Sequence, residues 1–430
     1  MLFWLGAAAF ALTILVSVSL HELGHMITGK RFGMKVTQYF VGFGPTIFSF
    51  KRGETEYGLK AIPLGGFCKI VGMTPQDDDV LPEDQPRAMW RFPVWKRTIV
   101  MSAGSITHFL LALAGAWVMA ASVGLPNIHL PQTSADQRTY PALIQVGECL
   151  PVQTELKKLD EATQKRIAGE ECKPGVNGAI VPPAKAAGLQ DLDRITKVGQ
   201  TPVENYGQLT DAIRASPAGP TVFEYVRDGQ TRTATVNLVS DERAPLEDPK
   251  GKVSLVSVAG LGWNTDQPYV IKYSVAGAVP AAGEYGWYLV ENSFKAMGKI
   301  PQKIPALWHS ITGDERDPDT PISVIGASRL GGEAIEKGVP EVFWQIFISL
   351  NVFIGLFNLL PLLPLDGGHI AIAWYERVRS ALYKRLRRPD PGRVDYYKLM
   401  PLTYAVILIG GAFTLLTATA DIINPITIFK

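Results

Sequence analysis

Apolar residues in this chain gather into four long runs. Residues 1–20, 98–125, 342–365 and 401–420 contain no Lys, Arg, Asp or Glu. A helix needs about 20 mostly apolar residues to cross a hydrocarbon core, so the pattern predicts four transmembrane helices, at 1–27, 98–125, 341–369 and 401–423. Buried core helices of that length usually keep a polar face. The first run has neither a basic start nor a small-residue cleavage site, and a charged motif follows it, so it reads as a retained helix rather than a signal peptide.

Basic residues near the span ends set the expected orientation. Segments 28–97 and 370–400 together hold 19 Lys and Arg against 10 Asp and Glu, whereas 126–340 is acidic on balance. Both basic segments are therefore expected on the cytoplasmic side, with 126–340 and both termini extracytoplasmic, in a multi-pass plasma-membrane protein. Averages over the chain hide this. The 430 residues are 47% hydrophobic and 19% charged with a net charge of +2, values that exclude a disordered chain and give no field to attract nucleic acid. Three Cys cannot form a disulfide framework.

The first span ends in His21-Glu22-Leu23-Gly24-His25. Residues four apart share a helix face, so both imidazoles can reach one metal ion, with Glu22 beside them to take a proton from water. From Leu2 the motif lies about 29 Å along the helix, near the expected cytoplasmic face of the membrane. Ionisable residues at such depth are usually functional. A catalytic Zn²⁺ needs a third protein ligand and one open position. Asp366 is the first carboxylate after the uncharged run 342–365, and His369 competes with it. Pro361 and Pro364 break the helix before them, and Gly367-Gly368 allows close backbone approach.

HELGH at the end of an apolar helix, with Asn358-x-x-Pro361-x-x-Pro364-Leu365-Asp366-Gly367-Gly368 in a later one, resembles the zinc site-2 proteases, RseP-like intramembrane metalloproteases. Gly42-Phe43-Gly44-Pro45, Pro63-Leu64-Gly65-Gly66-Phe67 and Pro321-Ile322-Ser323-Val324 extend the likeness over most of the chain, and it looks closest to the actinobacterial single-PDZ branch. The resemblance implies that His21, His25 and Asp366 bind zinc, that Glu22 is the catalytic base, and that Asn358 contacts substrate or stabilises the oxyanion. It further implies a single-pass transmembrane substrate, typically an anti-sigma factor already cut outside by another protease.

The predicted fold class is an α-helical polytopic membrane protein with a cytoplasmic-side β-hairpin sheet and an extracytoplasmic PDZ-like domain. Residues 36–72 read as strands with turns at Gly42–Pro45, Lys51–Gly53 and 64–66. A transmembrane helix must unwind to be cut, and the sheet edge near Gly65, Gly66 and Phe67 could hold the unwound segment by strand addition; a sheet that only braces the helices is the alternative. Within 126–264, the run from Ile180 to Ile195 resembles the PDZ pattern of bacterial proteases. The PDZ-like module is placed at about 175–240, with a helix at 208–215 and strands at 220–227 and 231–239. Residues 265–340 suggest amphipathic helices at the outer membrane surface. Cys149 and Cys172 form a disulfide or remain two thiols, and Cys68 is expected free. His108 is expected to be packed or hydrogen-bonded rather than ligating. A transporter using Glu22 and Asp366 as carriers, or an inactive PDZ scaffold, are the rival functions.

Overall fold

Leu2–Arg31 forms one helix of 30 residues, α1, about 45 Å long at ~1.5 Å per residue. Lys30 and Arg31 occupy its last turn, where the helix dipole favours cations. The computed structural model describes all residues except 75, 76, 78, 79, 132, 158–171, 177, 246–250, 314, 315, 429 and 430. The chain divides into two units, one made of Met1–Leu125 with Lys272–Phe429 and the other of Pro126–Ile271.

The first unit continues with α2 (Val94–Ser122), α3 (Ala278–Thr312), α4 (Val324–Glu336), α5 (Pro340–Asn358), α6 (Asp366–Arg385) and α7 (Met400–Ile423). Four of its helices, Leu2–Arg31, Val94–Ser122, Pro340–Asn358 and Tyr396–Ile423, are long and apolar enough to cross a membrane. Their outward faces are apolar too: Leu408, Ile409 and Leu415 are each more than 70% exposed. Water penalises apolar surface by ~25 cal/mol per Å², a cost that lipid removes. This is the surface of a multi-pass membrane protein. Small residues let the helices close on one another: a Cβ added at Gly331 of α4 would stand 2.7 Å from Phe10 Cγ of α1. The far end of α7 is pinned by a buried ion pair, Arg316 Nη2 to Asp421 Oδ1 at 2.9 Å, and the Ser323 N–H donates to the other carboxylate oxygen.

Val36–Arg52 (β1) and Thr55–Ile70 (β2) pair antiparallel directly after α1. Residues 38–41 pair both with 66–69 and, in parallel register, with 56–59, so the ribbon doubles back on itself and the chain reverses around Gly42–Pro45 and just before Gly66, where turns are expected. Gly42, Gly44 and Gly65 take φ of +86°, +80° and +126° at these reversals. The third apolar run differs from the single span 341–369. Its helix ends at Asn358, the proline-containing stretch 359–365 is non-helical, and a new helix starts at Asp366. That helix runs to Arg385 through what reads in sequence as a basic loop, with Lys384 and Arg385 in its last turn where cations suit the dipole.

The second unit holds a five-stranded sheet of order β7-β6-β5-β3-β4, made of Arg194–Val198 (β3), Thr201–Pro202 (β4), Gly219–Arg227 (β5), Gln230–Arg243 (β6) and Ser254–Val258 (β7). A helix at Tyr206–Ala215 starts on Asn205, whose side chain accepts the Gln208 N–H. Ile195, Leu209, Phe223 and Val236 fill the core between helix and sheet. Arg227 forks onto buried Asp193 with two 2.6 Å contacts, tying β5 to the start of β3. Cys149 and Cys172 are disulfide-bonded, their Cα atoms 5.8 Å apart, and Cys68 of the first unit is free.

Candidate metal centre

Helical spacing on α1 puts His21 and His25 on one buried face, 6% and 5% exposed. α2 crosses that face closely. A Cβ at Gly24 would stand 2.7 Å from the Ala103 carbonyl, so only a glycine admits α2 at this depth. Asp366 arrives at the first turn of α6. The two glycines after it are pressed onto the non-helical stretch: added Cβ atoms would lie 2.2 Å from Leu359 O at Gly367 and 2.7 Å from Leu362 C at Gly368. The proline-broken segment and the glycine pair together turn the Asp366 carboxylate back towards α1.

Three donor atoms converge there. His21 Nε2 and His25 Nε2 are 3.1 Å apart, and each is 3.3 Å from Asp366 Oδ2. Ligands about 2.0–2.2 Å from a tetrahedral ion sit roughly 3.3 Å from one another, so the triangle has the dimensions of a zinc site. His25 Nδ1 lies 2.7 Å from the Val100 carbonyl; a proton there leaves the Nε2 lone pair free for a ligand bond. Asp366 Oδ2 has no hydrogen-bond partner among the described residues although it is buried. Space is kept open as well: a Cβ at Gly104 of α2 would lie 2.5 Å from both His21 Nε2 and His25 Nε2. Converging lone pairs, an orphaned carboxylate oxygen and a glycine cradle fit a metal ion. His21, His25 and Asp366 would hold it, leaving a fourth position open for chemistry.

Glu22 stands beside the triangle rather than in it. It is half-buried on the side of α1 that faces β2, where the Cys68 peptide N–H meets its carboxyl and the Gly66 backbone comes close enough for an added Cβ to sit 3.5 Å from Glu22 Cγ. Burial and the Glu22 charge push the neighbouring Cys68 thiol up to about 12, so it stays neutral and does not compete as a thiolate ligand. Phe67 stacks between Phe40 and Phe43, with ring centroids 5.5 and 6.2 Å away. Gly65 and Gly66 thus lie on the strand that runs past the carboxylate. Asn358 is different. It is half-buried in the last turn of α5 and is not one of the three candidate ligand residues. His369 is not among them either; it stacks on Tyr396 at 5.9 Å.

Sequence reading did not single out Gly104, nor the pairing of buried His108 with Ser17 and Asn351. His108 Nδ1 lies 2.8 Å from Asn351 Oδ1 and 3.2 Å from Ser17 Oγ. A glycine four residues before a histidine in an uncharged span was the available signal. Replacing Gly104 by Ala should raise helix propensity by ~1 kcal/mol yet lower zinc affinity by about 100-fold or more, because the methyl enters the cradle. Chelator competition on the purified variant reads this directly, and zinc binding equal to the parent's would show that the cradle does not serve a metal.

Comparisons with known proteins converge on one chemistry. Residues 9–388 match the family model described as peptidase family M50. The chain is 42% identical to zinc metalloprotease Rip1 of Mycolicibacterium smegmatis and 39% identical to zinc metalloprotease Rip1 of Mycobacterium tuberculosis (strain H37Rv), with 100% of each chain covered in both cases. It is 24% identical to protease RseP of Yersinia pestis, over 87% of this chain and 91% of that one.

Proposed function

The chain is a zinc metalloprotease and belongs to peptidase family M50, the site-2 proteases; from that premise we propose that it hydrolyses a peptide bond within the transmembrane segment of a single-pass, anti-sigma-factor-like membrane protein. The observation that carries this reading is the His21, His25 and Asp366 triangle, built on and beside membrane-length helices. When bound, zinc supplies Lewis acidity, polarising a carbonyl and easing deprotonation of water. Glu22 accepts that proton and returns it to the leaving amine.

A substrate helix satisfies its peptide groups internally, so it has to unwind before the cut. The β2 edge at Gly65, Gly66 and Phe67 receives the unwound segment as an added strand, and the closeness of Gly66 to Glu22 leads that strand past the base. Asn358 contacts the substrate or the developing oxyanion. Basic segments 28–97 and 370–400 face the cytoplasm, while 126–340 and both termini lie outside. The sheet-and-helix unit there is a PDZ-like module that takes an extended C-terminal end of a trimmed substrate, or excludes substrates with bulky outer domains.

Reconstitution into vesicles with a single-pass substrate, followed by product masses, tests the assignment. The expected cut maps inside the apolar segment and stops when a zinc chelator is added. Cleavage confined to the flanking soluble sequence would overturn the intramembrane reading while leaving the protease itself intact.

A further inference from the structure

The two histidines of the triangle are not equally supported. Each directs Nε2 at the shared point, so in the zinc form each must carry a proton on Nδ1. His25 Nδ1 has its acceptor in the Val100 carbonyl. His21 Nδ1 is buried with no hydrogen-bond partner among the described residues. Metal-ligating histidines almost always donate that second N–H, and a buried donor left without a partner is unfavourable.

His108 is the neighbour able to accept it. The residue is 1% exposed on α2, one turn from Gly104, and its ring centroid is 5.0 Å from that of His21. The rings are tilted by 47° and no hydrogen bond joins them here; ring nitrogens sit roughly 1.1 Å from the centroid, so at this spacing a rotation of the imidazoles brings facing nitrogens within hydrogen-bond reach. Its tautomer follows from its partners. Asn351 donates its amide nitrogen to Phe347 O at 2.9 Å, which turns its carbonyl oxygen to His108 Nδ1 at 2.8 Å. Ser17 donates to the same oxygen. An oxygen already accepting from Ser17 and facing Nδ1 requires the imidazole proton on Nδ1, which leaves a lone pair on Nε2.

We propose that His108, oriented by Asn351 and Ser17, accepts the Nδ1–H of zinc ligand His21, making it a positioning residue of the metal centre. The relay runs from His21 through His108 to Asn351 and the Phe347 carbonyl, and joins α1, α2 and α5 behind the ligand. The inference rests on the metal-centre reading. Ser105 Oγ, fully buried and without a partner among the described residues, is the competing acceptor.

The test uses the full chain in detergent, with zinc affinity measured by chelator competition and folding by thermal unfolding. His108→Leu should weaken zinc binding by about 10–100-fold, whereas His108→Gln, which keeps an acceptor, should stay within about threefold of the parent. Parental affinity in His108→Leu, equal losses in Leu and Gln, or a loss seen only in Ser105→Ala would overturn the proposal. If His108→Leu does not fold, ¹⁵N-histidine NMR of the unsubstituted zinc form decides. With six His in the chain, the spectrum should show a bare His108 Nε2 hydrogen-bonded to the His21 Nδ1–H. A protonated His108 Nε2 refutes it. A parent that binds no zinc sinks the metal centre itself, an outcome distinct from any of these.

Discussion

Glu22→Gln is expected to hold zinc like the parent and to cleave a transmembrane substrate at least about 10³-fold more slowly. The two halves of that expectation come from one geometry. Glu22 lies outside the set of three candidate ligand residues, so its substitution leaves His21, His25 and Asp366 in place. Gln keeps the length of the side chain and an oxygen to accept the Cys68 N–H, so the packing against Gly66 survives. What the amide lacks is a site that binds a proton at neutral pH. Attack by water then has no local acceptor for its proton, and the leaving amine has no donor. Metal content of the purified variant, its thermal unfolding and cleavage in vesicles are measured side by side. Undiminished cleavage by folded Glu22→Gln protein would remove Glu22 from the mechanism and, with it, the hydrolytic reading of the motif.

Local signals carried most of what the sequence could tell. The spans are written as unbroken apolar runs, and the two α1 histidines need only the 3.6-residue period to be placed together. Asp366 is legible for a related reason: a lone carboxylate after a long uncharged run is costly wherever it lies. The residues that escaped are those whose roles depend on helix crossings. The glycine one turn before His108 does not mark Gly104 as the floor of a candidate metal cradle until α1 is laid across it, and Ser17, His108 and Asn351 lie on three different helices. The reversals at Gly42–Pro45 and 64–66 are legible from their glycines, whose positive φ lets the ribbon double back; that the doubled ribbon then pairs 38–41 with 56–59 is a long-range contact that no local signal announces. The basic residues of α6 suggest a solvated loop; they in fact sit on a helix, and Lys384 and Arg385 in its last turn complement its dipole.

Packing explains why the centre tolerates so few side-chain shapes. Gly24, Gly104, Gly367 and Gly368 each bring a backbone within the radius of a methyl group from the next element. The sequence gains no hydrophobic burial at these positions. What it obtains is proximity: α2 reaches the imidazoles, and α6 delivers its carboxylate to a helix far away in sequence. Dispersion between close backbones and the scarcity of competing water make such contacts worthwhile in lipid, where helix association has little hydrophobic drive. The centre is therefore expected to be more sensitive to small added groups than to loss of exposed apolar residues on the lipid-facing surface.

Asp366→Ala should lose both zinc and cleavage, in contrast to Glu22→Gln. Two imidazole nitrogens 3.1 Å apart remain, and two ligands fall short of the three that a catalytic zinc site requires. Affinity should drop by well over the roughly 10–100-fold that loss of an outer hydrogen-bond partner costs. Stability supplies a readout independent of substrate. A ligand that binds only the folded state at about 100 times its Kd stabilises it by ~2.7 kcal/mol, so the parent should unfold at higher temperature when zinc is added. Asp366→Ala should show no such rise. That absence separates a ligand from a structural residue: a variant that had lost only a structural contact would be less stable yet still gain stability from added zinc. Stoichiometric zinc and full cleavage in the variant would move the third ligand elsewhere. His369, three residues further along α6 with an unpartnered Nδ1 among the described residues, would be the position to substitute next.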